Sequence, residues 1–206
     1  MIVVVGLNHE TAPVAVREAL AFPKERLAEA LAHVREETGL EEAMILSTCN
    51  RVEVYGRSKE PSLDAVAAFV ARFHGKTADE IAPHLYRLEG DPAIRHAFRV
   101  AASLDSMVMG EPQILGQVKE AYEAAEKAGC LGSVMNALRN RAVAAAKRAR
   151  TETAIGRNAV SVSHVAVELA RKIFGSLRER RVLLVGAGKM SELAARQMVQ
   201  DGARAS

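Results

Sequence analysis

Cysteine is scarce in this 206-residue chain, with two copies far apart, and tryptophan is absent. Two distant thiols make no disulfide framework, which sets a reducing cytoplasm as the default compartment. Six histidines join them without metal-ligand spacing, so a structural zinc site is not expected. Aromatic residues make up only 4% of the chain. No aromatic-rich face is available for stacking on single-stranded bases. No apolar run is long enough to span a bilayer. Met1-Ile2-Val3-Val4-Val5 lacks the basic start and long apolar segment of a secretory signal. Internal repeats and low-complexity tracts are missing too.

What remains is the composition of an ordinary soluble globular protein, 49% hydrophobic and 26% charged. The net charge of +3 is compatible with a nucleic-acid partner but does not argue for one. One of the two cysteines sits in Ser47-Thr48-Cys49-Asn50-Arg51, between the apolar run Ala43-Met44-Ile45-Leu46 and the alternating run Val52-Glu53-Val54-Tyr55. That reads as strand, tight polar turn, strand. A thiol there stays accessible at a sheet end. Arg51 would favour its thiolate, the nucleophilic form. The other reading is a lone cysteine acting as a small hydrophobe. Thr48 and Asn50 offer neutral hydrogen bonds at the turn. Arg51 is either a carboxylate fork or a solvated turn residue. Cys130, beyond a helix end without polar company, reads as packed.

The first third, strand–helix–strand–strand–helix, predicts a small α+β domain with helices on one face of an antiparallel or mixed sheet. Pro23 opens a helix that Gly39 closes, and Thr77-Ala78-Asp79-Glu80 is a capping box. From Asp91, an N-cap followed by proline, the chain turns helical. Long periodic segments over 111–128 and 134–150 predict a helical layer beside the sheet. Ser106, Glu111, Gln113 and Gln117 form a second polar set around Met107, Val108 and Met109, which read as packed. Gln113 and Gln117 share a helical face. Glu111 at that helix's start is also explained by the helix dipole alone. Arg139, Arg141, Lys147, Arg148, Arg150 and Arg157 make the next segment basic, as a phosphate contact or as a solvated helix face.

A break at Gly156-Arg157-Asn158 separates a further helix and a short buried strand, 181–185. That strand runs into Gly186-Ala187-Gly188-Lys189-Met190-Ser191, which fits the dinucleotide fingerprint of two glycines and a small residue. A doubly wound domain needs more strands than this. The expected division is therefore a complete first domain over 1–155 and the opening of a Rossmann-like α/β domain over 156–206.

The turn Ser47–Arg51 with Val52-Glu53-Val54-Tyr55 resembles the nucleophile motif of the glutamyl-tRNA reductases. So do Gly6-Leu7-Asn8-His9-Glu10-Thr11-Ala12-Pro13 with Arg17-Glu18, the long stretch from Leu104 to Lys119, and the turn Val185–Met190, all in family order. The resemblance implies reduction of glutamyl-tRNA to glutamate-1-semialdehyde, the entry to tetrapyrrole synthesis, through a thioester on Cys49. It assigns Thr48, Asn50, Arg51, Ser106, Glu111, Pro112, Gln113 and Gln117 to the glutamyl pocket. It implies NADPH at Gly186–Ser191, tRNA-Glu as partner and no membrane. It also implies a downstream aminomutase and a homodimer formed through a C-terminal region, in a protein about twice this length. One departure bears on the chemistry. Leu88 stands where Leu85-Tyr86-Arg87 leads to an expected family histidine, leaving the general acid/base unassigned, with His84 a candidate stand-in; Ser103 replaces a usual glycine. A thiol-dependent semialdehyde dehydrogenase and an inactive tRNA-binding module are the alternatives.

Overall fold

Four strands carry the first domain. In the computed structural model, which describes residues 1–156, 162–178, 180–185, 189–200 and 202–205, they are β1 (Ile2–Asn8), β2 (Glu42–Ser47), β3 (Arg51–Arg57) and β4 (Tyr86–Glu89). They form an antiparallel sheet in the order β2-β3-β1-β4. β1 and β3 are rich in β-branched residues that suit a pleated, buried surface. Register is set along their whole length, from Ile2 opposite Arg57 to Asn8 opposite Arg51.

The helices are α1 (Val14–Ala19), α2 (Leu27–Thr38), α3 (Leu63–Phe73), α4 (Ala78–Ile81), α5 (Asp91–Ala101), α6 (Gln113–Lys127) and α7 (Ser133–Glu152). Their ends follow local chemistry. Gly39 and Gly129 close α2 and α6 at φ +70° and +67°, where glycine carries no Cβ penalty. The Ser62 hydroxyl accepts from the Ala65 N–H to cap α3, and Thr77 with Glu80 forms the expected capping box of α4. The N-cap of α5 is Gly90, one residue before the expected Asp91. Asp91 instead lies in the first turn, where its charge suits the dipole.

One expectation fails in an informative way. Helices cover both faces of the sheet, not one. α2 and α3 pack together and against β1 and β2, while α5, α6 and α7 form a second group against β1, β2 and β4. The polar members of the alternating strand β3 are therefore buried: Arg51 and Glu53 are 1% and 0% exposed. The two-residue period puts Arg51, Glu53 and Tyr55 on one side, where α5 brings His96 to meet them. Val52 and Val54 point the other way.

After α7 come α8 (Val162–Phe174), β5 (Arg181–Val182), α9 (Lys189–Gln200) and β6 (Arg204–Ala205). β5 and β6 are parallel, joined through α9 in the strand–helix–strand manner of a doubly wound domain. This part has its own small core of Val167, Leu177 and Ala203. The expected buried strand over 181–185 is shorter: Leu183 and Val185 are 78% and 90% exposed. β6 is the strand paired with β5 among the described residues, and burial on both faces needs further strands and helices. Gly186, Ala187 and Gly188 lie outside the described residues, as does Arg157. Among the described residues no helix is long and apolar enough to cross a membrane.

Candidate functional site

The β2–β3 turn is built by one side chain. The Thr48 hydroxyl accepts from the backbone N–H groups of Asn50 (3.2 Å) and Arg51 (3.1 Å), and the Thr48 N–H donates to the Arg51 carbonyl at 2.8 Å. A threonine at this position satisfies the turn's own donors and leaves Cys49 at the tip, exposed. Behind it the buried Arg17 of α1 donates from Nε to the Cys49 carbonyl (3.3 Å) and from Nη1 to the Ala12 carbonyl (2.6 Å).

A second segment, 103–112, approaches from between α5 and α6. It is folded back on itself: the Gly110 N–H donates to the Ser103 carbonyl at 3.0 Å. The Ser103 hydroxyl donates to the Glu111 carbonyl (2.7 Å) and accepts from Arg150 Nη2 of α7 (3.0 Å). Arg150 Nη2 also reaches the Glu111 carbonyl at 2.7 Å. Asp105 ties the other side of the segment to the sheet. Its Oδ1 accepts from Asn8 Nδ2 (3.4 Å) and Arg51 Nη2 (3.2 Å), and its carbonyl also accepts from Arg51 Nη2.

Turn and segment enclose a cavity of about 170 Å³ lined by Thr48, Cys49, Asn50, Arg51, Ser106, Met107, Glu111, Gln113, Ile114 and Gln117. Residues separated by more than fifty positions thus meet around one small space. Of the residues expected to contact a glutamyl group, only Pro112 is not in this lining; it is the N-cap residue of α6 and offers no donor. Gln113 and Gln117 face the cavity from successive turns of α6, as their spacing requires. The Ser106 hydroxyl oxygen is buried and has no hydrogen-bond partner among the described residues.

Arg51 does not do what its position in sequence suggested. Its Nη1 pairs with Glu53 at 2.8 Å, and Asp105 takes Nη2. Burial alone would lower its pKa, but Glu53 and the other acidic neighbours outweigh this and raise it. A guanidinium so committed forms a wall of the cavity, not an open carboxylate fork. Nor does it activate the thiol. The Cys49 pKa is raised, first by the desolvation its neighbours impose and next by the negative charge of Glu111; Arg17 is the cation that opposes this. Met107 and Met109 also depart from the packed reading, at 52% and 64% exposed. Cys130 does match it: it is buried, with Sγ donating to the Leu31 carbonyl at 3.3 Å.

Sequence reasoning missed the group beneath the cavity. Glu53 accepts from Arg51, Tyr55 (2.8 Å), Tyr86 and His96 (2.7 Å). Burial would raise its pKa, yet Arg51 and the hydrogen bonds from His96 and Tyr86 bring it down to about 2. The one available signal was a Glu two residues from an Arg on a strand, which period two places side by side. Leu88 proves remote. It lies opposite Val4, four residues along β1 from Asn8, which pairs with Arg51. That separation is roughly 13 Å at 3.3 Å per residue. A histidine there would not face Cys49, so its absence takes nothing from this cavity. His84, the suggested stand-in, is half-buried and bonded to the Thr11 carbonyl at 3.1 Å.

The basic stretch of α7 is partly consumed by internal pairs. Arg139 meets Glu126 and Arg148 meets Glu152, each at 3.0 Å, and Arg150 serves the segment described above. Lys119, Arg139 and Lys147 border a separate, open groove between α6 and α7. At the dinucleotide fingerprint, Lys189, Met190 and Ser191 form the first turn of α9, with the two glycines outside the described residues.

Comparison with known proteins bears on the family and the fold. A family model described as the N-terminal domain of glutamyl-tRNA(Glu) reductase matches residues 5–153, and one for shikimate/quinate 5-dehydrogenase matches residues 168–205. A glutamyl-tRNA reductase of Solibacter usitatus is 56% identical over 205 residues, covering 98% of this chain and 48% of that protein. One of Syntrophotalea carbinolica is 55% identical over 197 residues, covering 95% and 44%. The solved glutamyl-tRNA reductase of Methanopyrus kandleri is similar at a TM-score of 0.66 and 39% identity, covering 98% of this chain and 47% of that one. The chain spans about half the length of the curated relatives it matches. A sheet with helices on both faces, the strand–helix–strand unit after it, and a family match over most of its length together place this chain in the glutamyl-tRNA reductase family.

Proposed function

We propose that this chain supplies the acyl-transfer half of an NADPH-dependent glutamyl-tRNA reductase. Residues 1–155 act as the catalytic domain, and residues 156–206 open the cofactor domain. The observation that carries the reading is the single cavity whose wall joins the Cys49 turn to Ser106, Glu111, Gln113 and Gln117. Such a lining suits an aminoacyl ester. Glu111 is the one carboxylate in it and pairs with the substrate α-ammonium. Ser106, Gln113, Gln117, Thr48 and Asn50 offer neutral hydrogen bonds to the carbonyl and side-chain oxygens. Arg51, held by Glu53 and Asp105, fixes the position of the wall.

The chemistry follows from the thiol. The Cys49 thiolate attacks the ester carbonyl carbon, a C–S bond forms, and the C–O bond to the tRNA ribose breaks. The ribose oxygen leaves with a proton from water at the open mouth. The product is a glutamyl thioester on Cys49. The order of β5 and α9 on either side of the glycine pair in the sequence suits a dinucleotide, whose pyrophosphate would meet the N-terminal turn of α9. A bound nicotinamide would supply the hydride that converts the thioester to the aldehyde. The setting by this reading is cytoplasmic tetrapyrrole synthesis, with hand-over of the aldehyde to an aminomutase and pairing of copies through a C-terminal region.

The test is to incubate the chain with labelled glutamyl-tRNA, with and without NADPH, and to locate any adduct by mass spectrometry. A glutamyl adduct on Cys49 that releases glutamate slowly is the expected result. NADPH-dependent semialdehyde from these 206 residues would show that they already bind and use the cofactor. A folded protein that forms no adduct would overturn the reading in favour of an inert tRNA-binding module.

A further inference from the structure

We propose that the end of α7 positions the acyl-transfer site: Arg150, together with residues 153–155, holds the Glu111 side of the cavity wall, so that attack by Cys49 depends on the joint leading to the second domain. The proposal rests on the reading that a glutamyl ester enters this cavity. It adds two positioning elements that do not line the cavity and act on the ester only through the 103–112 segment.

The segment is anchored from two parts of the molecule. On the sheet side Asp105 is held by Asn8 and Arg51. On the other side the anchor is the last turn of α7. Arg150 Nη2 donates both to the Ser103 hydroxyl (3.0 Å) and to the Glu111 carbonyl (2.7 Å), and the Ser103 hydroxyl donates to that same carbonyl at 2.7 Å. One nitrogen thus closes the base of the loop from 103 to 111. The neighbouring arginines of α7 behave differently. Arg139 and Arg148 pair with carboxylates at the surface, whereas Arg150 turns inward onto neutral oxygens. Its Nε is buried without a partner among the described residues. A buried donor left unpaired is a cost, so the side chain is not held there for its own hydrogen bonding alone.

A second contact reaches the same loop from beyond the helix. A Cβ built on Gly110, which sits at φ +84°, would lie 2.6 Å from the Ile155 carbonyl oxygen, so the main chain at 155 is seated directly on the loop. Ile155 is fixed to α7 in turn by Thr153, whose hydroxyl accepts from the Ile155 N–H at 3.2 Å and donates to the Ala149 carbonyl. Gly110 and Glu111 are adjacent, so both contacts bear on the one carboxylate in the cavity wall. The thiol does not depend on this arrangement, because its turn is built by Thr48 within residues 48–51. A displaced wall therefore misplaces the ester and not the nucleophile. A misplacement of about 1 Å costs on the order of a hundredfold in rate. By the reading above, the chain beyond Gly156 opens the cofactor domain. The joint that carries the hydride donor thus rests on the wall that carries the acyl group.

The test is single-turnover acylation of the 206-residue chain by labelled glutamyl-tRNA, with the thioester on Cys49 followed by mass spectrometry. Arg150→Gln should slow acylation at saturating glutamyl-tRNA roughly tenfold to a hundredfold. It should leave iodoacetamide alkylation of Cys49 unchanged, since the turn is untouched. Arg150→Lys supplies both donors from one ammonium nitrogen and should recover part of the rate. Thr153→Val should slow acylation less than Arg150→Gln does, with Thr153→Ser close to the parent. In a Glu111→Gln background Arg150→Gln should add little, because it acts through that residue. Amide hydrogen exchange should quicken over 103–112 in Arg150→Gln and stay at the parent's rate over 47–52. An undiminished acylation rate in Arg150→Gln overturns the proposal. So does a loss that alkylation shares, that Arg150→Lys does not relieve, or that is just as large in the Glu111→Gln background. A parent chain that forms no adduct overturns it through the glutamyl reading beneath it, and the exchange data distinguish that failure from a failure of the anchoring.

Discussion

Ser103 offers a test in which the sign of the answer matters more than its size. It is buried and sits at φ +61°, the one described non-glycine residue with positive φ. A left-handed backbone costs a side-chain-bearing residue about 1–2 kcal/mol. Against that, its hydroxyl makes two bonds, one to the Glu111 carbonyl and one from Arg150. Each is worth roughly 0.5–1.5 kcal/mol net, with the Arg150 bond at the upper end. Ser103→Gly loses both bonds but also relieves the backbone, so it should come out within about 1 kcal/mol of the parent. Ser103→Ala loses the same bonds and keeps the strain, so it should be destabilised by about 1–3 kcal/mol. The glycine variant should therefore be the more stable of the two by about 1 kcal/mol, whereas at an ordinary position alanine is favoured by about 0.4–1 kcal/mol. The assay is urea unfolding followed by far-UV circular dichroism, comparing midpoints at equal slope. An alanine variant as stable as the glycine variant would refute the claim that the loop base is strained and held by the hydroxyl.

Three further outcomes follow from the site. Cys49→Ser should abolish thioester formation with almost no change in urea midpoint, because the residue is exposed at a turn tip; Cys130→Ser should stay within about 1 kcal/mol and keep acyl transfer, since a hydroxyl can still donate to Leu31. Arg51→Lys breaks the fork that joins Glu53 to Asp105 and should cost roughly 3 kcal/mol of stability, measured by urea midpoint, before any effect on binding is read. Glu53, with its pKa brought down to about 2, should contribute stability that is full above pH ~4.5 and is lost as pH falls towards 2, because the unfolded chain takes up the proton first; Glu53→Gln should flatten that acid slope, and an unchanged slope would show that the carboxylate is not the group being titrated.

Much about this protein follows from its sequence alone. Strand and helix positions come from the two periodicities, and the capping box at Thr77 and the glycines at 39 and 129 mark helix ends by purely local chemistry. Cys49 at a polar turn, and Gln113 with Gln117 on one helix face, are likewise legible because neighbours in a turn or on a helix are neighbours in space. The match to family motifs named the residues around the cavity but not what each one touches.

Only the tertiary structure decided the electrostatics. Arg51 reads as an available cation until α5 and the 103–112 segment bring Asp105 to it and β3 lays Glu53 beside it. Arg150 reads as surface charge until α7 carries it to the Glu111 carbonyl, thirty-nine residues away. Leu88 reads as a gap in the chemistry until the β1–β4 register sets it far along the strand from the thiol. In each case the sequence specifies the charge or its lack, while its effect depends on a partner that packing alone brings close. Coulombic and hydrogen-bonding effects act over a few ångströms, a distance that separation along the chain does not measure.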